Sequence, residues 1–140
     1  MEYRQINDAF LVRFYRGEKL PDALITLAEE KGWKSGAFTA IGAVENLTLG
    51  YFDLDQKRYV KFPVAGVSEV LALNGNLSIF NNKPFWHLHA IVGDKNGNVR
   101  GGHLVCLEVA VTLECWIWPH ANPVERVPDE LTGLNFLNLK

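Results

Sequence analysis

The alternation of apolar and polar residues divides the chain into one short helix and a long series of strands. In the segment PDALITLAEEK, residues 21–31, apolar side chains recur at spacings of three and four, which predicts an amphipathic helix. Pro21 suits a first helical position and Gly32 suits the residue just past the helix end. Before this helix, AFLVRFY (Ala9–Tyr15) is rich in β-branched and aromatic residues and predicts a strand.

The chain after Gly36 is typical of successive strands separated by turn signals. Asn74-Gly75 and Asn96-Gly97 are the clearest candidates for tight turns, and the proline-containing tail after residue 118 is expected to begin irregularly. One main α-helix packed against a curved, mainly antiparallel β-sheet predicts an α+β fold. No linker, repeat or break in composition divides the chain, so we expect a single domain over residues 1–140. The predicted strands are GAFTAIGAV, LTLGYFDL, KRYVKFPV, VSEVLALNG, NLSIF, FWHLHAIVG, NVRGGHLV and LEVAVTLECWIW.

Composition narrows the class of protein. Hydrophobic residues make up 48% and charged residues 21%, with a net charge of −2, so no broad positive field favours nucleic acid or an anionic membrane. The only two cysteines, Cys106 and Cys115, lie in an apolar run and are expected to be buried free thiols. The first residues, MEYRQINDAF, lack the apolar stretch of a signal peptide, and no apolar run approaches the ~20 residues of a membrane span. We therefore expect a cytoplasmic protein without membrane partners.

Three of the four histidines lie in one segment, PFWHLHAIVGDKNGNVRGGHL. Residues two apart in a strand project from the same face, so His87 and His89 should point in one direction. Leu88 should point the opposite way into packing, as should Trp86 and Ala90. The position of the third histidine then depends on the turn that follows.

That turn decides whether His103 joins the other two histidines. The sequence GDKNGN favours a three-residue loop, residues 95–97, in which Gly97 adopts the left-handed conformation. Asp94 then faces Asn98, facing residue numbers sum to 192 (94 and 98, 89 and 103), and all three imidazoles share one face. A two-residue Asn-Gly loop would instead point His103 to the other face, and a bulge at the glycine pair 101–102 would change the register.

Three neutral imidazoles on one rigid patch would form a site for a divalent transition metal. Zinc is the expected ion, with iron(II), nickel or cobalt as alternatives. Three protein ligands would leave a position for water or substrate, and water bound to zinc can titrate near pH ~7. The two glycines at 101 and 102 would let a ligand or another backbone approach closely. The alternative is that the histidines are separate, ordinary polar side chains of a strand.

These residues also carry a family resemblance. The segment HLHAIVGDKNGNVRGGHL resembles the signature of the plant and prokaryote conserved (PPC) domain. Three further segments, SGAFTAIGAVENLTLGYFD, VSEVLALNGNLS and ERVPDELTGLNF, resemble other parts of the same domain in the same order. The resemblance runs from about Ala9 onward, and the chain is identified as a stand-alone prokaryotic member.

The resemblance implies a compact domain with a curved antiparallel sheet, and a homotrimer as in prokaryotic members. It also implies that His87, His89 and His103 form the family's metal-type site. Glu69 matches a carboxylate of the family at this point. We interpret it as an interface or core charge with a partner, for which Arg13 is the candidate.

Two other functions follow from the family. Plant members join this domain to AT-hooks, which insert into the minor groove of DNA, but neither Arg16-Gly17 nor Arg100-Gly101 continues as a hook does. DNA binding, a label carried by many prokaryotic relatives, is therefore an alternative that the residues themselves support weakly. A third hypothesis is an assembly module whose trimer surface recruits another protein.

The remaining features give no catalytic assignment. Trp116 and Trp118 share a strand face while Cys115 and Ile117 share the other, which predicts a strand covered on both sides by subunit contact. His120 is expected at the surface in a loop. Because GxGxxG, P-loop and nucleophile motifs are absent, no organic cofactor, catalytic residue or substrate is indicated, and an open metal position leaves an enzymatic role undecided.

Overall fold

A computed structural model describes residues 1–140 and contains ten strands and one helix. Eight strands form one mainly antiparallel sheet with the helix packed against it, and the last two strands form a separate hairpin. The α+β fold with one main helix is therefore confirmed. The elements are β1 (Glu2–Ile6), β2 (Ala9–Tyr15), β3 (Lys19–Leu20), α1 (Asp22–Lys31), β4 (Ser35–Asp53), β5 (Arg58–Val64), β6 (Ser68–Phe80), β7 (Lys83–Gly93), β8 (Val99–His120), β9 (Arg126–Pro128) and β10 (Asn135–Leu137).

Helix α1 forms where its apolar spacing predicts it. Pro21 immediately precedes the helix as its N-cap residue, one position earlier than expected, and Gly32 ends the helix in the left-handed conformation with φ +67°. The helix buries Leu24, Leu27 and Ala28 against the sheet. It has ten residues and is neither long nor apolar enough to cross a membrane.

Four strands close the sheet on itself. β4 pairs with β6, β6 with β7, β7 with β8, and β8 again with β4, so the hydrogen-bonded ladder forms a ring. The remaining strands extend this ring, with β5 beside β4 and with β2 and β1 beside β8. One core of 27 buried residues is formed by the strands of the sheet together with helix α1.

Two turn predictions have different outcomes. The Asn96-Gly97 turn is confirmed, whereas the turn predicted at Asn74-Gly75 is wrong because both residues lie inside β6. Gly75 is needed there for a different reason: a Cβ would overlap the backbone carbonyl oxygen of His87 on the neighbouring strand. The chain reverses instead at residues 81 and 82, two asparagines with φ +50° and +62°, which suit a two-residue hairpin turn.

Strand β8 is longer than predicted. The segments NVRGGHLV and LEVAVTLECWIW form one strand of 22 residues. Its pairing with β4 shifts register at several points, which changes the phase of burial along the strand. Cys115 is fully buried as expected, but the prediction of a buried Cys106 is wrong, since that thiol is exposed.

The expected pairing of Arg13 with Glu69 is also wrong. Residues 2–6 form edge strand β1, which pairs with β2 and brings Glu2 to the guanidinium of Arg13 in a salt bridge. A second salt bridge joins Glu18 to the amino terminus of Met1, at 2.8 Å. Glu69 is exposed on β6, facing Ala43 on one side and Gly93 on the other, and forms no salt bridge.

Candidate metal site

The hairpin between β7 and β8 has the predicted register. His89 pairs with His103, and the ladder continues without a shift to Gly93 and Val99. The three-residue loop 95–97 is therefore present, and no bulge occurs at the two glycines of β8. Gly97 has φ +80°, the left-handed conformation that this loop requires.

Asp94 holds the loop in place. Its backbone N–H donates to the carbonyl oxygen of Asn98 at 3.0 Å, and its own carbonyl oxygen accepts from the Gly97 N–H at 3.0 Å. Its carboxylate accepts the backbone N–H groups of Asn96 and Asn98 at 2.8 and 2.9 Å and the Asn98 side-chain amide at 2.9 Å. These hydrogen bonds, those from Asn98 first, lower the pKa of Asp94. The turn is thus specified by short-range contacts.

The three histidines converge on the outer face of the hairpin. The Nε2 atoms of His87 and His89 are 3.1 Å apart, and one ligand atom from each of the three rings lies within 4.8 Å of the others. The ring centroids are separated by 5.0 to 5.5 Å. Leu88 between the first two histidines points into the core, as predicted, and Trp86 and Ala90 are also buried.

A neighbouring aromatic ring covers one side of His103. The ring of Tyr59, from the end of β5, stacks on it with centroids 4.6 Å apart and planes inclined by 29°. Gly50 of β4 pairs with His103, and a Cβ at this position would come within 3.2 Å of the tyrosine ring. The buried Nδ1 atom of His103 has no hydrogen-bond partner. A buried nitrogen without a partner is costly, and an ion is one way to satisfy it.

Burial, with neighbouring positive charge, favours the neutral form of the imidazoles of His87 and His103. Desolvation, with smaller contributions from His87 and His89, lowers the pKa of His103 to about 4. Desolvation first, then the positive charge of Arg126 and the proximity of His89, lowers the pKa of His87. A neutral imidazole presents the lone pair that a metal ion requires.

The separations fit a single ion. Tetrahedral zinc with Zn–N bonds of roughly 2.0–2.1 Å places its nitrogen ligands about 3.3 Å apart. The 3.1 Å between the Nε2 atoms of His87 and His89 is already close to this value. The remaining separations, at most 4.8 Å, need a shift of about 1.5 Å, which rotation of an imidazole can provide. The donor set and the orphaned nitrogen of His103 together fit a transition metal.

Arg126 and Tyr59 were missed by the sequence-based prediction. Arg126 lies in the tail, and its guanidinium donates to Ser78 Oγ at 2.8 Å and to Asn76 Oδ1 at 3.0 Å. Asn76 is paired with His87, so the cation lies beside the histidine cluster. No local pattern marks either residue, because both come from strands remote in the sequence.

Other residues singled out in the sequence lie elsewhere. His120 is exposed at the end of β8, not in a loop, and takes no part in the cluster. Trp116 and Trp118 share a face as predicted, with centroids 6.1 Å apart and planes at 19°. They remain 36% and 38% exposed in the single chain, so the predicted cover on that face is not supplied within one chain.

The family can be named from the sequence together with this geometry. The model of the Plants and Prokaryotes Conserved (PCC) domain matches residues 1–120. The chain belongs to this family. The resemblance to the PPC domain is thereby confirmed, and it includes the hairpin that carries the three histidines. No curated protein sequence matches the chain.

Solved structures of similar proteins share the PCC-domain fold. A candidate DNA-binding protein of Bacteroides thetaiotaomicron is 28% identical, with a TM-score of 0.94 over 98% of this chain and 96% of that one. A metal-containing protein of Archaeoglobus fulgidus is 36% identical, with a TM-score of 0.87 over 98% and 96%. A plant- and prokaryote-conserved protein of Pyrococcus horikoshii is 29% identical, with a TM-score of 0.86 over 99% and 95%.

Proposed function

We propose that this PCC-domain protein binds one divalent transition metal ion, zinc in the first instance, through His87, His89 and His103. The observation that carries the proposal is the convergence of three ligand atoms within 4.8 Å on one hairpin. The orphaned Nδ1 of His103 and the metal-containing relative of Archaeoglobus fulgidus support it.

The protein contributes three imidazole ligands held on one hairpin. A metal held by three imidazoles would supply a Lewis acid with a free coordination position. The strand pairing of His89 with His103 holds two ligands in fixed register, and the Tyr59 ring stacks on His103. Arg126 adds a positive charge beside the cluster.

Metal content is the direct test. Protein purified without an affinity tag, then dialysed and titrated with zinc, is expected to bind about one ion per chain. His103→Ala, which removes one of the three ligands, should lower the affinity at least about 100-fold, since two imidazoles form an incomplete zinc site. His120→Ala is the matched control because it removes an exposed histidine outside the cluster. Wild-type protein that carries no metal and takes up none on titration would refute the proposal.

We further propose that residues 1–140 form one domain that assembles as a homotrimer. Support for the single domain comes from the tail, where the Ile79 N–H donates to the Val124 carbonyl oxygen at 2.8 Å and ties the last residues to β6. Support for assembly comes from the partly exposed pair Trp116 and Trp118. Light scattering coupled to size exclusion should give three times the chain mass of 15.8 kDa. A monomer at micromolar concentration would contradict the trimer.

DNA binding is the second candidate, favoured by the description of the Bacteroides thetaiotaomicron relative. If it is correct, gel shifts with duplex DNA should weaken steeply as salt rises, because phosphate contacts release counterions. Absence of binding at low salt would exclude it. Recruitment of another protein by the assembled surface is the third, and co-purification from native extract tests it.

A further inference from the structure

Arg126 is a cation without a counter-ion beside the proposed metal site. The salt bridges of the chain join Arg13 with Glu2 and the amino terminus with Glu18, so this guanidinium has no carboxylate partner. Its hydrogen-bond acceptors are neutral oxygens: Ser78 Oγ at 2.8 Å, the Asn135 carbonyl at 2.7 Å and Asn76 Oδ1 at 3.0 Å. It is only partly exposed, and burial lowers its pKa. A half-buried charge is normally paired, which makes this one unusual.

The strand register places this cation next to the histidines. Asn76 faces His87 and Ser78 faces Phe85 across β6 and β7, and the guanidinium donates to both β6 side chains. It also lies over the Phe85 ring, 4.9 Å from the centroid. Phe85 and His87 share a face of β7 and are two residues apart, about 7 Å along the strand. Arg126 therefore lies over Phe85, two residues along β7 from His87, a proposed metal ligand.

The guanidinium retains donors for a further ligand. It carries five N–H groups, and its Nε, Nη1 and Nη2 atoms each use one of them on the protein. One N–H remains on Nη1 and one on Nη2, an arrangement that suits oxygen atoms of a carboxylate or phosphate. Phe85 and the two polar side chains of β6 hold the fork in position.

We propose that the site binds a small oxyanion, one oxygen on the metal held by His87, His89 and His103 and another on the guanidinium of Arg126. This inference rests on the proposed metal function and extends it to the class of ligand. A metal–oxygen bond of about 2 Å, an oxyanion about 2 Å wide and a hydrogen bond of about 2.9 Å together span roughly 7 Å. That reach is close to the roughly 7 Å along β7 that separates Phe85, which lies under the guanidinium, from His87. Carboxylates and phosphates share this chemistry.

The test uses the whole protein loaded with cobalt(II), whose visible spectrum changes when an anion enters its coordination shell. Metal content is measured first for every variant. Wild type is then titrated with acetate and, separately, inorganic phosphate at constant ionic strength. Arg126→Met should weaken the binding of the preferred anion at least about tenfold, because a charged hydrogen-bond donor is lost. Chloride can bind a metal but cannot bridge to the guanidinium, so the same substitution should change the affinity for chloride less than about threefold.

Arg4→Met is the matched control, since it removes the same charge from edge strand β1, which pairs with β2 and with neither of the strands that carry the histidines. It should leave anion binding unchanged. If Arg126→Met fails to fold, Asn76→Asp provides a second variant. It gives the guanidinium an internal carboxylate in the position of Asn76 Oδ1, and it should also weaken the binding of the bridging anion more than that of chloride.

The outcomes separate the two proposals. A tenfold loss for phosphate alone, or for acetate alone, supports the inference and identifies the anion class. Cobalt binding with no spectral response to either anion, or with equal affinity in wild type and Arg126→Met, would overturn the inference and leave the metal site standing. Absence of cobalt and zinc binding by wild type would overturn the proposed function, and the bridging inference with it.

Discussion

Replacement of Leu88 by alanine tests whether β7 presents its ligands on one face and its packing on the other. Leu88 lies between His87 and His89 in the chain, but it is 1% exposed and belongs to the core. The substitution removes three buried carbon atoms, a loss of about 2.4 kcal/mol at about 0.8 kcal/mol per group. The cavity left behind adds about 1 kcal/mol or more. We expect the free energy of unfolding to fall by about 3–4 kcal/mol.

Ile91→Ala is the matched control on the same strand. The substitution also removes three carbon atoms, but Ile91 is 48% exposed, so only about half of their burial free energy is lost, about 1 kcal/mol. No closed cavity forms at this exposed position. Urea unfolding followed by tryptophan fluorescence, to which the buried Trp33 and Trp86 contribute, measures both variants. A chelator should be present so that metal binding does not contribute to the native state. Equal losses in the two variants would refute the alternation of faces on which the site depends.

Three further predictions concern other parts of the fold. Gly42→Ala should destabilise the protein by more than about 4 kcal/mol in urea unfolding, because a Cβ there would overlap the Thr112 carbonyl oxygen. A loss under about 1 kcal/mol would contradict the close approach of β4 to β8. Gly97→Ala should lower the free energy of unfolding by about 1–2 kcal/mol because of the left-handed φ of +80° alone, since the site of the new Cβ is open. Gly97→Asn should lower it less, because asparagine tolerates this conformation better. Equal thermal midpoints for the two variants would argue against this conformation. Thiol titration should count one reactive cysteine in the native protein, the exposed Cys106, and two in the unfolded protein. Burial raises the pKa of Cys115 and keeps it as an unreactive thiol in the native state. Rapid reaction of two thiols in the native state would be the contrary result.

The convergence of the histidines could be predicted because it depends on a short stretch of chain. His89 and His103 are joined by a single hairpin, and Asp94 and Gly97 specify its three-residue loop through local hydrogen bonds and backbone conformation. A two-residue alternation then assigns His87 to the same face. These rules act within a few residues, so they need no knowledge of the rest of the fold.

The predictions that were wrong concern residues whose placement depends on strands distant in the chain. Gly75 suggested a turn, but what requires a glycine there is the backbone of β7, which contacts it only in the folded sheet. Cys106 was expected inside because it lies in an apolar run, but shifts in the pairing of β8 with β4 turn it outward. Glu2, which pairs with Arg13, reaches it only because residues 2–6 form an edge strand.

By itself the sequence determined the helix, most of the strands, the register of one hairpin and the common face of three imidazoles. Only the tertiary structure decided that Tyr59 would stack on His103 and that Arg126 would come to lie beside Asn76 and His87. The reason is physical: turn conformation and strand alternation are set by interactions between near neighbours. The pairing of strands distant in the chain depends instead on how the whole sheet closes around its core.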